Sequence, residues 1–252
     1  MKILKKALFL SDTHFEAADE ALVGEKGKIF KLLTDKLYDY IVHIGDLINF
    51  DAFGRFEKDP RKKENIVQSI MMGTDFLQRV RKKQPKAKII WKEGNHDQRL
   101  EKYCIRNCPE LLPLECLSLE SLFKCRENKI EFIPYNKFYT LHGLKITHGK
   151  RVNPQSGYSA HAELRNAKGR SGVSGHTHRL CWVHSHEAEW MELGHLGSTD
   201  IEKFPYLGDS EPNWRQGFGE GTYIQGDDGS CFWILKPVEI SNGHFMVDGK
   251  LY

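Results

Sequence analysis

The stretch Ala87-Lys88-Ile89-Ile90-Trp91-Lys92-Glu93-Gly94-Asn95-His96-Asp97 sets a pattern that the rest of the chain repeats. Residues 87–91 form an apolar run that reads as a buried strand. The turn after it carries an amide oxygen on Asn95, an imidazole on His96 and a carboxylate on Asp97. Gly94 supplies the positive φ or close backbone approach that such a turn needs. One such turn means little, because Asn, His and Asp are ordinary loop residues. Its recurrence is informative: an apolar strand, then a turn, usually glycine-containing, with residues that ligate metals.

Upstream, Ala7-Leu8-Phe9-Leu10 is an apolar strand that ends at Ser11-Asp12-Thr13-His14. Asp12 and His14 are two apart, so an extended backbone would aim both at one face. A helix is expected over 25–37, with Ile29, Leu32, Leu33 and Leu37 on one side. Tyr40-Ile41-Val42-His43-Ile44 is a second buried strand, ending at Gly45-Asp46. An amphipathic helix fits 64–83, with Ile66, Ile70, Leu77 and Val80 inward. Arg79, Arg81, Lys82 and Lys83 sit where cations suit the helix dipole, so a solvated helix end is at least as good a reading of them as ligand binding.

Downstream, 98–128 reads as helical, broken by Pro109 and Pro113. Strands are expected at 130–133 and 138–141, with a turn at His142-Gly143. Leu144-Lys145-Ile146-Thr147 then ends at His148-Gly149. A short helix fits 159–168. Gly172-Val173-Ser174-Gly175 leads into His176-Thr177-His178, a second i, i+2 pair. Trp190-Met191-Glu192-Leu193 precedes Gly194-His195, and closing strands are expected near 222–225 and 231–240.

The 252 residues are 40% apolar and 28% charged, enough for a sizeable core. No linker or repeat divides them, so the expectation is one domain over 1–252, with substrate-setting insertions around 50–85 and 100–130. A net charge of +3 does not by itself imply nucleic acid. The six cysteines, at 104, 108, 116, 125, 181 and 231, lack paired CxxC spacing and read as a reduced, mostly buried, cytoplasmic set. The opening residues have too short an apolar part for a signal peptide. No stretch approaches the ~20 apolar residues of a membrane span.

The candidate ligands are Asp12, His14, Asp46, Asn95, His148, His176 and His178. Most follow the carboxyl end of a strand, the edge where α/β sheets bind ligands. Carboxylate, imidazole and amide donors without thiolate suit Mn²⁺, Fe, Zn²⁺ or Co²⁺. Seven donors exceed one tetrahedral ion and fit two ions about 3.5–4 Å apart with a bridging carboxylate. Such a pair can hold a bridging hydroxide and two phosphate oxygens, favouring in-line displacement at phosphorus.

The ordered series resembles the calcineurin-like metallophosphoesterase superfamily. Asp12-x-His14, Gly45-Asp46, Gly94-Asn95-His96-Asp97, His148 and Gly175-His176-x-His178 match its five blocks in order. The resemblance implies two packed mixed β-sheets flanked by α-helices. It implies a first metal on Asp12, His14, Asp46 and His178. The second would sit on Asp46, Asn95, His148 and His176. By the same resemblance His96 faces the substrate as a catalytic residue, and Asp97 orients its imidazole. Manganese is the favoured ion. Asp46 is followed by Leu47-Ile48-Asn49-Phe50-Asp51, not the Asp-Arg-Gly of protein Ser/Thr phosphatases. The chain looks more similar to compact bacterial and phage phosphoesterases, and shares motif wording with the repair nucleases.

Several assignments stay open. Arg99 could reach a substrate phosphate by its planar fork, or pair with Glu101 or Glu93. The patch of Phe50, Phe53, Phe56, Lys58, Arg61, Lys62 and Lys63 could stack bases or plug the core. His195 follows a strand and could line the site; His43 and His142 read as structural. The favoured function is a phosphodiesterase acting on nucleotides, DNA or RNA. The alternatives are a phosphomonoesterase for a metabolite or phosphoprotein, and a non-catalytic protein-binding scaffold.

Overall fold

The computed structural model describes residues 1–54, 65–204, 207 and 212–252. Its thirteen strands, in order, begin with β1 (Lys2–Leu10), β2 (Tyr40–Ile44), β3 (Lys88–Lys92), β4 (Ile130–Ile133), β5 (Tyr139–Leu141), β6 (Leu144–Ile146) and β7 (Gly172–Ser174). They continue with β8 (Cys181–His184), β9 (Glu189–Glu192), β10 (Gly217–Gln225), β11 (Cys231–Glu239), β12 (Met246–Val247) and β13 (Lys250–Leu251). The α-helices are α1 (Glu20–Val23), α2 (Lys28–Asp35), α3 (Ile66–Lys83), α4 (Arg99–Asn107), α5 (Leu119–Leu122) and α6 (Tyr158–Asn166).

Two mixed sheets form the framework. The six-stranded sheet runs β11-β10-β1-β2-β3-β4 and the five-stranded sheet β5-β6-β7-β9-β8. In the first, β1 to β4 are parallel and β10 and β11 antiparallel. In the second, β6, β7 and β9 are parallel. Ala7, Phe9, Val42, Ile44 and Ile90 face Ile146, Val173, Met191 and Leu193 between the sheets. Leu8, Leu10, Ile41, Ile89 and Trp91 alternate to the other face, against α2 and α3. Burial on both faces explains why these parallel strands read as continuous apolar runs.

The helix expected at 64–83 is α3, started by Asn65, whose side chain accepts from Gln68 N at 3.1 Å. Two of its carboxyl-terminal cations are structural: Arg81 donates to the carbonyls of Ala87 (2.7 Å), Lys129 (2.8 Å) and Asn128 (2.9 Å), and Arg79 pairs with Asp75, while Lys82 and Lys83 are exposed. The expected helical run 98–128 is shorter in α-structure: after α4 it becomes 3₁₀ turns at Pro109–Leu111 and Glu115–Leu117, then α5. Proline at the first position of the 3₁₀ turn has no N–H with which to continue α4. The sequence reading missed β8, an edge strand with only Val183 buried, and the β12–β13 hairpin. Of the six cysteines only Cys104 and Cys125 are buried. Among the described residues no helix is long and apolar enough to cross a membrane.

Candidate metal centre

Six parallel strands, three from each sheet, deliver polar residues to one edge. β1 leads to Asp12 and His14, β2 to Asp46 and β3 to Asn95. From the second sheet β6 leads to His148, β7 to His176 and His178, and β9 to His195. The loops zip together through backbone bonds. Asp12 N donates to the Gly45 carbonyl (3.0 Å), His14 N to that of Asp46 (3.1 Å) and Gly175 N to that of His148 (3.1 Å). Asp12 and His14 do converge, but not as neighbours on a strand. Their φ values are 52° and 48°, and Asp46, His176 and His178 are also left-handed at 51°, 80° and 59°. Strain concentrated at one cluster is a mark of functional sites. Close approach explains the glycines: a Cβ on Gly94 would lie 2.2 Å from Asp46 N, and one on Gly175 1.9 Å from Ser11 Oγ.

The donor atoms fall into adjoining groups. Asp12, His14 and His178 each bring one ligand-type atom within 4.8 Å of the others, as do Asp46, His148 and His176. His178 Nε2 is 3.3 Å from Asp12 Oδ1, and His148 Nε2 is 3.2 Å from Asp46 Oδ2. Asn95 Oδ1 is 3.0 Å from His148 Nε2. His14, Asp46 and His96 make a third such group between them.

The chemistry of these atoms calls for a cation. His14 Nδ1 lies 2.7 Å from Asn49 Oδ1, an acceptor, so Nδ1 carries the proton and Nε2 a lone pair. That lone pair faces His178 Nε2 at 3.0 Å. His148 Nδ1 is likewise spent on the Ile44 carbonyl at 2.7 Å, which turns Nε2 toward two oxygens. Among the described residues Asp12 Oδ1 is buried without a hydrogen-bond partner. Burying such groups unpaired is costly, and a divalent ion between them removes the conflict. The charges respond accordingly. Burial lowers His178 to about 3 and His176 to about 4. His148, although buried, is raised to about 9 by Asp46, and Asp46 is held well below the usual carboxylate range by His148 and His96 despite its burial.

His96 is 8% exposed, with Nε2 4.0 Å from Asp46 Oδ2. Its expected orienting partner is not where the resemblance implied. Asp97 turns away: its oxygens accept from the backbone N–H groups of Gly94 (2.8 Å), Asp46 (2.9 Å), Leu47 (3.0 Å) and Ile48 (3.3 Å). The chain bends back at 94–97, so Asp97 pins the Asp46 loop while Asn49 Oδ1 meets His96 Nδ1 at 3.0 Å. Burial, then Asp46, pushes the Asp97 carboxyl up to about 8, with the N–H donors opposing that. Asn49 was missed in the sequence, although it touches both His14 and His96. Arg99 pairs with Asp51, not Glu101 or Glu93, and its Nη2 is 3.3 Å from His96 Nε2.

His195 lines the site, stacked on His178 at 5.2 Å between ring centres. His43 is buried against Thr13 Oγ1 at 2.8 Å, and His142 occupies its turn with φ 45°, bonded to Tyr40 OH. Of the 50–63 patch, Phe50 and Phe53 pack at the core and meet edge to face at 5.5 Å. Phe56, Lys58, Arg61, Lys62 and Lys63 lie outside the described residues.

Oxygen and nitrogen donors grouped at the carboxyl edge of a two-sheet α/β fold define a class, the metal-dependent phosphoesterases. Over residues 5–196 the sequence matches the family described as calcineurin-like phosphoesterase, and the chain belongs to that family. The gene 54 proteins of Mycobacterium phages L5 and D29 are each 28% identical to it, over 272 and 281 residues, covering 98% of this chain and 98% of each relative. Among solved structures, an archaeal phosphodiesterase is 16% identical with a TM-score of 0.45, covering 92% of this chain and 99% of its own. Vacuolar protein sorting 29 of Cryptosporidium parvum is 14% identical with a TM-score of 0.46, covering 94% and 100%.

Proposed function

We propose that the chain is a dinuclear phosphodiesterase acting on nucleotide or nucleic-acid diesters. The observation that carries this reading is the pair of adjoining donor groups on either side of His96 and Asp46. One ion would be held by Asp12, His14, Asp46 and His178, the other by Asp46, Asn95, His148 and His176. Mn²⁺ suits these donors, as do Fe, Zn²⁺ and Co²⁺. When bound, such ions polarise a phosphoryl oxygen and supply a nucleophile at neutral pH.

The chain's own residues do the rest. Asp46 reaches both groups and accepts from His96 N at 2.8 Å, so its position is set by the same turn that carries His96. His96 keeps its proton on Nδ1, against Asn49, and presents Nε2 to the substrate side beside Arg99. In this arrangement the lone pair on His96 Nε2 can accept a proton beside Arg99, and Asp97 acts only by pinning the backbone. The donor groups suit a diester and a monoester alike, so the choice between them falls to the comparison below.

The test compares bis-p-nitrophenyl phosphate with p-nitrophenyl phosphate after chelator stripping and Mn²⁺ add-back, with Asp46→Asn as the blank. Diester preference that disappears in Asp46→Asn is the expected result. Monoester preference would redirect the reading to metabolites or phosphoproteins, and inactivity across Mn²⁺, Zn²⁺, Co²⁺ and Fe²⁺ would sink it.

A further inference from the structure

The fourth parallel strand of the first sheet, β4, lies beside β3 and adds none of the candidate donors. Two residues beyond its end stands Tyr135, in a turn closed by Lys137 N donating to the Pro134 carbonyl at 2.9 Å. Its backbone is tied to the strand that leads to Asn95. Tyr135 N donates to Glu93 Oε2 at 2.7 Å, and the Tyr135 carbonyl accepts from Lys92 Nζ at 2.9 Å. Its ring meets the loop that follows His148, where Lys150 Nζ is 4.9 Å from the ring centre. Lys92 Nζ at 5.3 Å and Lys102 Nζ at 5.7 Å crowd the same ring. Tyr135 thus bridges the two strand ends that bring Asn95 and His148 to the centre.

Ammonium groups stand over the ring, so Tyr135 is no platform for a base. The group left is its hydroxyl, which makes no hydrogen bond among the described residues. Burial, then the charges of Asp46, Glu163 and Glu93, raise the phenol, so the hydroxyl keeps its proton and donates. Lys150 is exposed, two residues beyond His148, and apart from its contact with this ring its ammonium has no ion pair or hydrogen bond among the described residues. Lys92, in contrast, is buried and spent on the carbonyls of Pro134 and Tyr135, both at 2.9 Å. A neutral donor and an unspent ammonium, side by side next to a centre that reads as a phosphate site, are complementary to a second phosphate.

We propose that the Tyr135 hydroxyl and Lys150 Nζ form a subsite for the phosphate that neighbours the scissile one, so that the substrate is a nucleic-acid strand and not an isolated nucleotide diester. The inference rests on the phosphodiesterase reading and adds the substrate class. A strand of three or more residues offers a second phosphate beside the one that is cut, whereas a dinucleotide or a cyclic nucleotide has none to offer. The contacts go to phosphate and not to a base, so they carry no sequence preference. A nucleoside polyphosphate also brings a second phosphate, and the test separates the two sources.

The substrates are a thymidine or uridine dinucleotide, with one phosphate, and the matching trinucleotide, with two, each given to the full chain in Mn²⁺. Whichever strand direction this flank accepts, the trinucleotide has a phosphate to place there. The wild type is expected to prefer the trinucleotide about tenfold in kcat/KM, and Tyr135→Phe, which keeps the ring among its lysines, to lose most of that preference. Binding is read separately, by polarisation of a fluorescein-labelled strand of 12 residues, as DNA and as RNA, in chelator so that turnover cannot consume it. Tyr135→Phe is expected to weaken that binding, and Lys150→Ala to reduce the slope of log affinity against log salt by about 0.7. No trinucleotide preference in the wild type, or an unchanged one in Tyr135→Phe, overturns the subsite. Adenosine triphosphate, as a competitor in excess Mn²⁺, tests the other source: inhibition that weakens in Tyr135→Phe while the trinucleotide preference stays intact overturns the strand assignment. The two readings fail separately. Diester turnover without trinucleotide preference sinks the subsite alone. Strand binding that depends on Tyr135 and Lys150, without turnover of any diester, sinks the phosphodiesterase and leaves the subsite standing.

Discussion

On the His148 flank hydrogen bonds orient the ring: Nδ1 meets the Ile44 carbonyl at 2.7 Å, and Nε2 meets Asp46 and Asn95. On the His178 flank packing does so. His178 Nδ1 is buried without a hydrogen-bond partner among the described residues, and the ring is held among His14 at 4.9 Å, His195 at 5.2 Å and Trp214 at 4.3 Å. A hydrogen-bonded ring has its tautomer and direction set before any ion arrives. A ring held by shape depends on the rings packed around it, so the same centre should respond differently to polar and to packing changes on its two sides.

The sharpest challenge to that division is the residue shared by both flanks. Asp46→Asn should abolish diester turnover, a loss exceeding the roughly 10–100-fold typical of removing an outer partner. Residual activity within that range in steady-state kinetics would mean that one flank works alone. Next comes Asn49, which orients His14 on one side and His96 between. Asn49→Ala should cost about 10–100-fold in activity or metal affinity, and Asn49→Asp, which keeps the acceptor, should recover most of it. Equal activity of both variants would remove the orienting role.

Gly175→Ala separates the flanks, because its Cβ would fall 2.5 Å from Asp12 Oδ2. The forced shift should cost about 1–3 kcal/mol and lower the amount of divalent metal bound, read by calorimetry and elemental analysis. Unchanged metal content would show that the Asp12 side adapts.

The smallest effect concerns Glu192, which accepts from Thr177 Oγ1 at 2.7 Å beneath the His176-x-His178 turn. Burial raises its carboxyl to about 7 from 4.5. The unfolded chain therefore releases this proton near pH 4.5 and the folded chain near pH 7, so stability falls as pH rises across that window. Glu192→Gln should flatten this part of the melting temperature against pH profile, measured in chelator. A profile identical to wild type would mean that Glu192 does not titrate there.

The strands carrying the candidate donors were legible because burial on both faces leaves an unbroken apolar run, and the glycines marked where each run turns. Asn49 was not, since its partners His14 and His96 are 35 and 47 residues away and a single Asn after Gly-Asp looks like any loop residue. Asp97 was misplaced because the resemblance set its carboxylate against His96, whereas the turn carries it back to the backbone of 46–48. The i, i+2 argument for Asp12 and His14 named the right residues through the wrong geometry, because extended alternation does not hold at left-handed φ.

By itself the sequence determined the positions of most strands, the residue types at their ends and the family to which the chain belongs, because these are local patterns of burial and turn chemistry. Tertiary structure alone decided which nitrogen of each histidine faces the centre, which flank is bonded and which is packed, and that Trp214 stands beside His178. Those relations join residues tens to more than a hundred positions apart, and they exist only once two sheets bring six strand ends to one edge.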